Sequence, residues 1–141
     1  MNYSAGGWFP SREIDDAIKY ATDKGIVVVM SAGNDYSSQP DYPAINADRF
    51  GIAVGGIDRN GRVADFSNYA GSKPLDYVVA PGVDILSTTP NNTYKTYEGT
   101  SMAAPHVAGV AALVLNANPT LTPAQVEQIL TSTANSNGIT V

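Results

Sequence analysis

Apolar and polar residues alternate along this chain with two different periods, one typical of helices and one of buried strands. Residues 12–24 carry one apolar stripe at helical spacing, formed by Ile14, Ala17, Ile18 and Ala21. Ser11 is a suitable N-cap for this helix and Gly25 a suitable stop. The uncharged β-branched run at 27–30 then predicts a strand buried on both faces.

The same alternation continues to the end of the chain. Further strands are predicted at 51–57 and 77–80, with a turn at 58–61 leading into 63–66 and a hairpin at 85–97 around Pro90. Thr122 and Gln125 form a capping box for the last helix, with Pro123 at its first position. Its inward face is predicted to hold Val126, Ile129, Leu130 and Thr133.

Composition narrows the possible functions. The net charge of −5 leaves no basic stripe to neutralise phosphates, which argues against nucleic acid as a partner. The absence of cysteine excludes disulfides and thiolate metal sites. No run of about 18 apolar residues is present, so no membrane span is predicted. At 141 residues and 43% hydrophobic, the chain has the size and composition of one domain with a core.

The first candidate for chemistry is Ser101, within the run GTSMAAPHVAG at 99–109. It follows a glycine and stands at the first turn of a helix, where unpaired N–H groups and the positive end of the helix dipole lie. The helix continues without charge over 107–115 and is predicted to be buried on most sides. The alternative is an ordinary Ser or Thr N-cap on a core helix.

Two more segments place polar or small residues after short strands. The run GIVVVMSAGND at 25–35 delivers Asn34 at the C-terminal end of a parallel strand, where ligand sites of open α/β sheets lie. The alternative for Asn34 is a turn residue in a left-handed conformation. The segment NYSAGG at 2–7 precedes it.

In this order and spacing, the three segments resemble those of subtilisin-like serine peptidases, the subtilases. The resemblance implies a doubly wound, mostly parallel sheet with helices on both faces, peptide or protein substrates, and a secreted location. It implies that Ser101 is the nucleophile and that the Asn34 amide donates to the oxyanion. It also implies a substrate cleft lined by two backbone segments against which a substrate strand pairs, namely Ser4, Ala5 and Gly6, and Ser31, Ala32 and Gly33. No cofactor is required for this chemistry.

A serine hydroxyl needs a base and a group that orients the base. Subtilases carry these in an Asp-Ser/Thr-Gly segment and a His-Gly-Thr-His segment upstream, and neither occurs here. The sole histidine is His106, which five residues of helix place roughly 140° around the axis from Ser101. We therefore expect residues 1–141 to be the C-terminal half of a catalytic domain. We expect it to be inactive alone, with the N-terminal half as its partner.

Asp41 precedes Tyr42-Pro43-Ala44, a position that in subtilases lies at the base of the primary specificity pocket. A carboxylate there predicts cleavage after Arg or Lys, and Asp35 at the rim would add to this preference. The alternative is that Asp41 only solvates a loop. The resemblance also allows structural calcium, with the Ala44 carbonyl as a ligand, against a plain turn closed by its own hydrogen bonds.

Two other function classes stay open at this point. Residues 99–103 approach the Gly-x-Ser-x-Gly elbow of another serine hydrolase fold, but no histidine follows His106, where that fold needs its base. The other class is a catalytically dead fragment or a non-enzymatic binding module derived from a subtilase.

Overall fold

Four parallel strands form the centre of the protein. The structure is a computed structural model that describes residues 1–135 and 138–141. The strands follow one another across the sheet in chain order, each bonded to the next: β1 (Asn2–Tyr3), β2 (Val29–Ser31), β3 (Ile52–Ile57) and β4 (Tyr77–Pro81). An antiparallel hairpin of β5 (Ile85–Thr89) and β6 (Thr93–Tyr97) lies outside this sheet. The predicted α/β class and the predicted hairpin are confirmed.

Three helices pack on the sheet: α1 (Arg12–Asp23), α2 (Thr100–Ala117) and α3 (Pro123–Thr133). The Ser11 hydroxyl caps α1 by accepting from the N–H of Ile14, and Thr122 with Gln125 forms the predicted capping box of α3. Of the predicted inward face of α3, Val126 and Leu130 are buried, whereas Thr133 is exposed.

Two separate cores lie on the two faces of the sheet. Alternate residues of β2 point to opposite faces, so Val29 joins the core under α2 and α3 while Met30 joins the core under α1. All four residues of 27–30 are buried, as their apolar run predicts. Helices on both faces of a parallel sheet were the predicted arrangement, and it is confirmed.

The structure corrects two expectations from the sequence. Helix α2 is buried on one face only, because no described residue covers its outer side, and Leu113 is 69% exposed. Residues 63–66 form no strand and only Val63 makes a bridge, to Ile57.

Helix α2 is long and apolar enough to cross a membrane by length and composition. Core helices pass the same test, so this finding does not overturn the expectation of no membrane span.

Candidate active site

Ser101 lies at the start of α2, directly beside the end of β1. Its Oγ is 3.5 Å from the Ser4 carbonyl oxygen, and the Ser4 hydroxyl donates to the Ser101 carbonyl at 2.9 Å. Gly99 makes the turn into the helix with a φ of 142°, which side chains rarely adopt. The structure thus brings together two predicted site residues that are 97 positions apart in the chain.

Asn34 is oriented by Thr100. Its Oδ1 accepts the Thr100 N–H at 2.9 Å and the Thr100 hydroxyl at 3.0 Å. A backbone N–H only donates, so the atom that faces it must be the amide oxygen. The Nδ2 donor therefore points the other way and lies 3.4 Å from the position that a Cβ on Gly99 would take. The amide of Asn34 is held next to the turn that carries Ser101.

The segment of Ser31, Ala32 and Gly33 forms a wall whose backbone is bonded within the fold. The Ala32 N–H donates to the Val54 carbonyl, and the Ala32 carbonyl accepts from the Asp41 N–H. The Gly33 N–H donates to the Thr100 hydroxyl at 3.1 Å. These bonds occupy the N–H groups of Ala32 and Gly33, and the substrate-binding role of this segment stays a prediction. Ala5 and Gly6 are exposed, and they keep that role as a prediction.

Asn68 is a buried hub that the sequence analysis missed. Its Oδ1 accepts the N–H groups of Asp35 and Ser37, both at 2.9 Å. Its Nδ2 donates to the Ala32 carbonyl at 3.1 Å and to Asp41 Oδ1 at 3.2 Å. One fully buried amide therefore fixes the wall, the loop after Asn34 and the carboxylate of Asp41.

Tyr77 completes this hub from β4. Its hydroxyl donates to the Asn68 carbonyl at 2.7 Å, and burial raises the pKa of Tyr77 to about 12. The phenol consequently stays protonated and keeps donating across the physiological range. No local pattern predicts the contacts of Asn68, because its side chain bonds to residues 27 to 36 positions away in the chain.

Asp41 lies between the two segments predicted to line the cleft. A Cβ on Gly33 would come within 2.5 Å of Asp41 Oδ2, and a Cβ on Gly6 within 3.7 Å of the Asp41 Cβ. The pKa of Asp41 is raised, first by burial and then by the nearby Asp35, whose side chain also hydrogen-bonds with it. Asp41 thus lies close to both segments that are predicted to line the cleft, which is more than the alternative of a solvated loop requires.

His106 is held on its own helix. Its Nδ1 donates to the Met102 carbonyl at 2.8 Å, the usual i, i+4 geometry of a helix surface. It remains exposed, and no hydrogen bond joins it to Ser101 among the described residues. The expectation that His106 is not the base of Ser101 has this geometric support.

The segment after Tyr42 is a short 3₁₀ turn, Ala44–Asn46. The Ala44 carbonyl accepts from the Ala47 N–H at 3.1 Å, and Ala44 is fully buried. Among residues 1–135 and 138–141 no three His, Cys, Asp or Glu side chains converge to hold a metal ion. The Ala44 carbonyl thus closes the turn, and a cation held by backbone oxygens here stays a prediction.

Taken as a class, this is an α/β protein with a serine at a helix N-terminus, an oriented amide donor beside it, and a walled pocket between strand ends. A family model described as the subtilase family matches residues 1–140. The chain belongs to the subtilase family.

Named relatives extend this comparison. The chain is 45% identical over 139 residues to Subtilisin BL of Lederbergia lenta, covering 99% of this chain and 50% of that protein. It is 48% identical over 138 residues to Subtilisin amylosacchariticus of Bacillus subtilis subsp. amylosacchariticus, covering 95% and 35%. A cold adapted subtilisin-like serine proteinase superposes with a TM-score of 0.87 at 38% identity, covering 99% of this chain and 49% of that one. The chain spans half or less of the length of these relatives.

Proposed function

We propose that this chain supplies the nucleophile, two oxyanion donors and the specificity pocket of a serine endopeptidase. The observation that carries the proposal is the contact between Asn34 and Thr100, which holds a side-chain donor next to the helix start that carries Ser101. A catalytic base and its orienting carboxylate come from the upstream half of the domain. The relatives' names, which include subtilisin and alkaline protease, support this activity class.

The proposed reaction is acyl transfer. A base from the upstream half takes the proton of Ser101 Oγ as the oxygen attacks the peptide carbonyl, and the carbonyl oxygen becomes an oxyanion. The Nδ2 of Asn34 and the backbone N–H of Ser101 stabilise that charge, which is greater in the transition state than in the substrate. The base then gives its proton to the leaving amine. Water hydrolyses the acyl-enzyme by the same route, so no metal or cofactor takes part in the bond changes.

We also propose that Asp41 selects basic side chains at the cleavage site. It lies against both Gly33 and Gly6, and the Asn68 amide holds its carboxylate. An apolar side chain would leave that partly buried charge without a partner, at a cost of roughly 1–3 kcal/mol. The substrates are then proteins or peptides cut after Arg or Lys, and the family resemblance favours a location outside the cell.

Structural calcium near Ala44 stays a prediction on the resemblance alone. The alternative is the plain turn closed by its own hydrogen bonds, and a melting temperature of the complete domain that EDTA leaves unchanged would remove the calcium proposal.

A serine-directed fluorophosphonate tests the nucleophile. The complete domain is assembled by joining the upstream half of Subtilisin BL to this chain. In labelling, Ser101 Oγ bonds to phosphorus and fluoride leaves, and mass spectrometry locates the adduct. We expect Ser101→Ala to abolish labelling and the matched Ser4→Ala variant to retain it, since Ser4 is the neighbouring hydroxyl. An adduct on any other residue of a folded domain would refute the assignment.

A further inference from the structure

A cavity of about 330 Å³ opens beside Asp41. Its lining includes Trp8, Asp35, Gln39, Asp41, Tyr42 and Ile45. The volume is at the lower end of small-molecule sites and is sufficient for one large side chain. The cavity therefore combines an aromatic ring with two neighbouring carboxylates.

The backbone fixes Trp8 next to Asp41. Gly7 and Tyr42 exchange both hydrogen bonds of an antiparallel bridge, at 2.9 and 3.0 Å. Trp8 directly follows Gly7 and Asp41 directly precedes Tyr42, so the bridge brings the two segments that carry them together. Both residues line the same cavity as a result.

Trp8 is also available to a ligand. It is 72% exposed, and among the described residues no ring stacks on it and no cation lies over it. Nor does any described Lys or Arg form an ion pair with Asp35 or Asp41. An exposed indole beside two carboxylates without a cation is a complementary surface for a positively charged group.

We propose that Trp8 is a specificity-determining residue that stacks on the guanidinium of a substrate arginine while Asp41 and Asp35 face its N–H groups. This inference rests on the proposed function. Guanidinium is planar, presents its donors at the edge and stacks on aromatic faces, whereas the lysine ammonium is a compact, strongly hydrated charge. The pocket therefore prefers arginine to lysine, and the preference between the two comes from Trp8.

Matched substrates test the assignment in the complete domain. Peptide amides that differ only in Arg, Lys or citrulline at the cleavage site are compared, because citrulline keeps the length and planarity of arginine without the charge. We expect Trp8→Ala to lower kcat/KM for Arg about two- to five-fold, mainly through KM, with little effect on citrulline. Trp8→Phe retains a ring and is expected to restore most of the loss.

A binding measurement gives a second readout. The indole N–H resonance that is missing in Trp8→Phe identifies Trp8, and titration with benzamidine is expected to shift it in the wild type but not in Asp41→Asn. A wild type that cleaves citrulline and Arg substrates equally would overturn the proposed preference for basic residues. A wild type that prefers Arg, with the Arg to Lys ratio unchanged in Trp8→Ala, would overturn the role of Trp8 alone.

Discussion

Two regions of this molecule differ in how completely this chain pairs their polar groups or covers their apolar side chains. At the carboxyl ends of the strands, Asn34 is hydrogen-bonded to Thr100, and Asn68 is hydrogen-bonded to the backbone of Ala32 and Asp35. On the outer face of α2, Val110 is 48% and Leu113 69% exposed. The active-site edge is built within this chain, whereas the outer face of α2 has the apolar character of a surface meant to be covered.

This contrast explains how the proposed site can be organised within this chain by itself. The segments that form the pocket bond to one another across large sequence separations, as Gly33 does to Thr100 and Asp35 to Asn68. None of these bonds involves the outer face of α2. Pocket geometry and catalytic competence are therefore separable properties, and the predictions below test each.

The largest effect is expected at the oxyanion donor. Asn34→Leu keeps the side-chain size but removes the amide. We expect kcat of the complete domain to fall about 10²–10³-fold with KM little changed, which is the loss known for the equivalent donor in subtilisin itself. Steady-state kinetics on one peptide amide measure it. Thr100→Val is the matched control at the orienting hydroxyl and should give a smaller loss, because the Thr100 N–H still holds Asn34. Equal kcat in Asn34→Leu and wild type would remove Asn34 from the mechanism.

The next effect is on substrate choice. Asp41→Gly should lower the ratio of kcat/KM for Arg over Phe substrates about 10- to 100-fold, because the carboxylate that pairs with the cation is gone. In the wild type the preference for Arg requires ionised Asp41, whose pKa is raised by burial and by Asp35. The ratio should therefore fall as the pH drops through that pKa, and it should be independent of pH in Asp41→Gly. A ratio that is the same in both enzymes contradicts the assignment.

A pair of stability variants compares the two regions directly. Asn68→Ala removes both bonds that hold Asp35 and Ser37 and the donor to Ala32, so the free energy of unfolding should fall by about 2–4 kcal/mol. In the chain by itself, Leu113→Ala should change it by less than about 0.5 kcal/mol, since Leu113 is largely exposed. Denaturant unfolding of the two variants measures both values, and similar losses would erase the distinction drawn above.

The smallest effect concerns Glu127 on α3. It is only 5% exposed, its Oε1 has no partner, and burial followed by the charge of Asp76 raises its pKa. A carboxyl whose folded pKa is raised contributes most stability below its unfolded pKa and loses it as pH rises through the folded value. Glu127→Gln should thus be more stable than wild type at pH 8, by on the order of 1 kcal/mol, and not at pH 3. Melting curves of both proteins measured between pH 3 and pH 8 give the difference in stability. A difference that is the same at every pH would show that the titration of Glu127 is not coupled to folding.

The sequence predicts those features of the fold that depend on local patterns. The Ser11 and Thr122 caps, the buried run at 27–30 and the β5–β6 hairpin each follow from residues within a few positions of one another. The prediction of a strand at 63–66 was wrong, because this segment has no partner strand and makes only one bridge. Whether such a segment becomes a strand depends on neighbours that no local pattern encodes.

The site shows the same division. Ser101 and Asn34 stand in motifs that predict their roles, but the residues that orient this site could not be predicted in the same way. Thr100 belongs to the motif of Ser101, yet that motif predicts a role only for the serine. Asn68 stands in a polar Ser-Asn pair that predicts no role. The proposed role of Trp8 could not be predicted for a different reason. It depends on the Gly7–Tyr42 bridge, which brings the segment of Trp8 next to that of Asp41.

The most direct test of the whole account is complementation of the missing base. Peptidase activity on casein and on a peptide amide is measured for this chain alone and for the chain joined to the upstream half of Subtilisin BL, with a cooperative melting transition as the check of folding. We predict no activity for the chain alone and Ser101-dependent activity for the joined domain, because His106 is held by Met102 and no other histidine exists in the sequence. Hydrolysis by the chain alone that Ser101→Ala abolishes would contradict the account and make His106 the base.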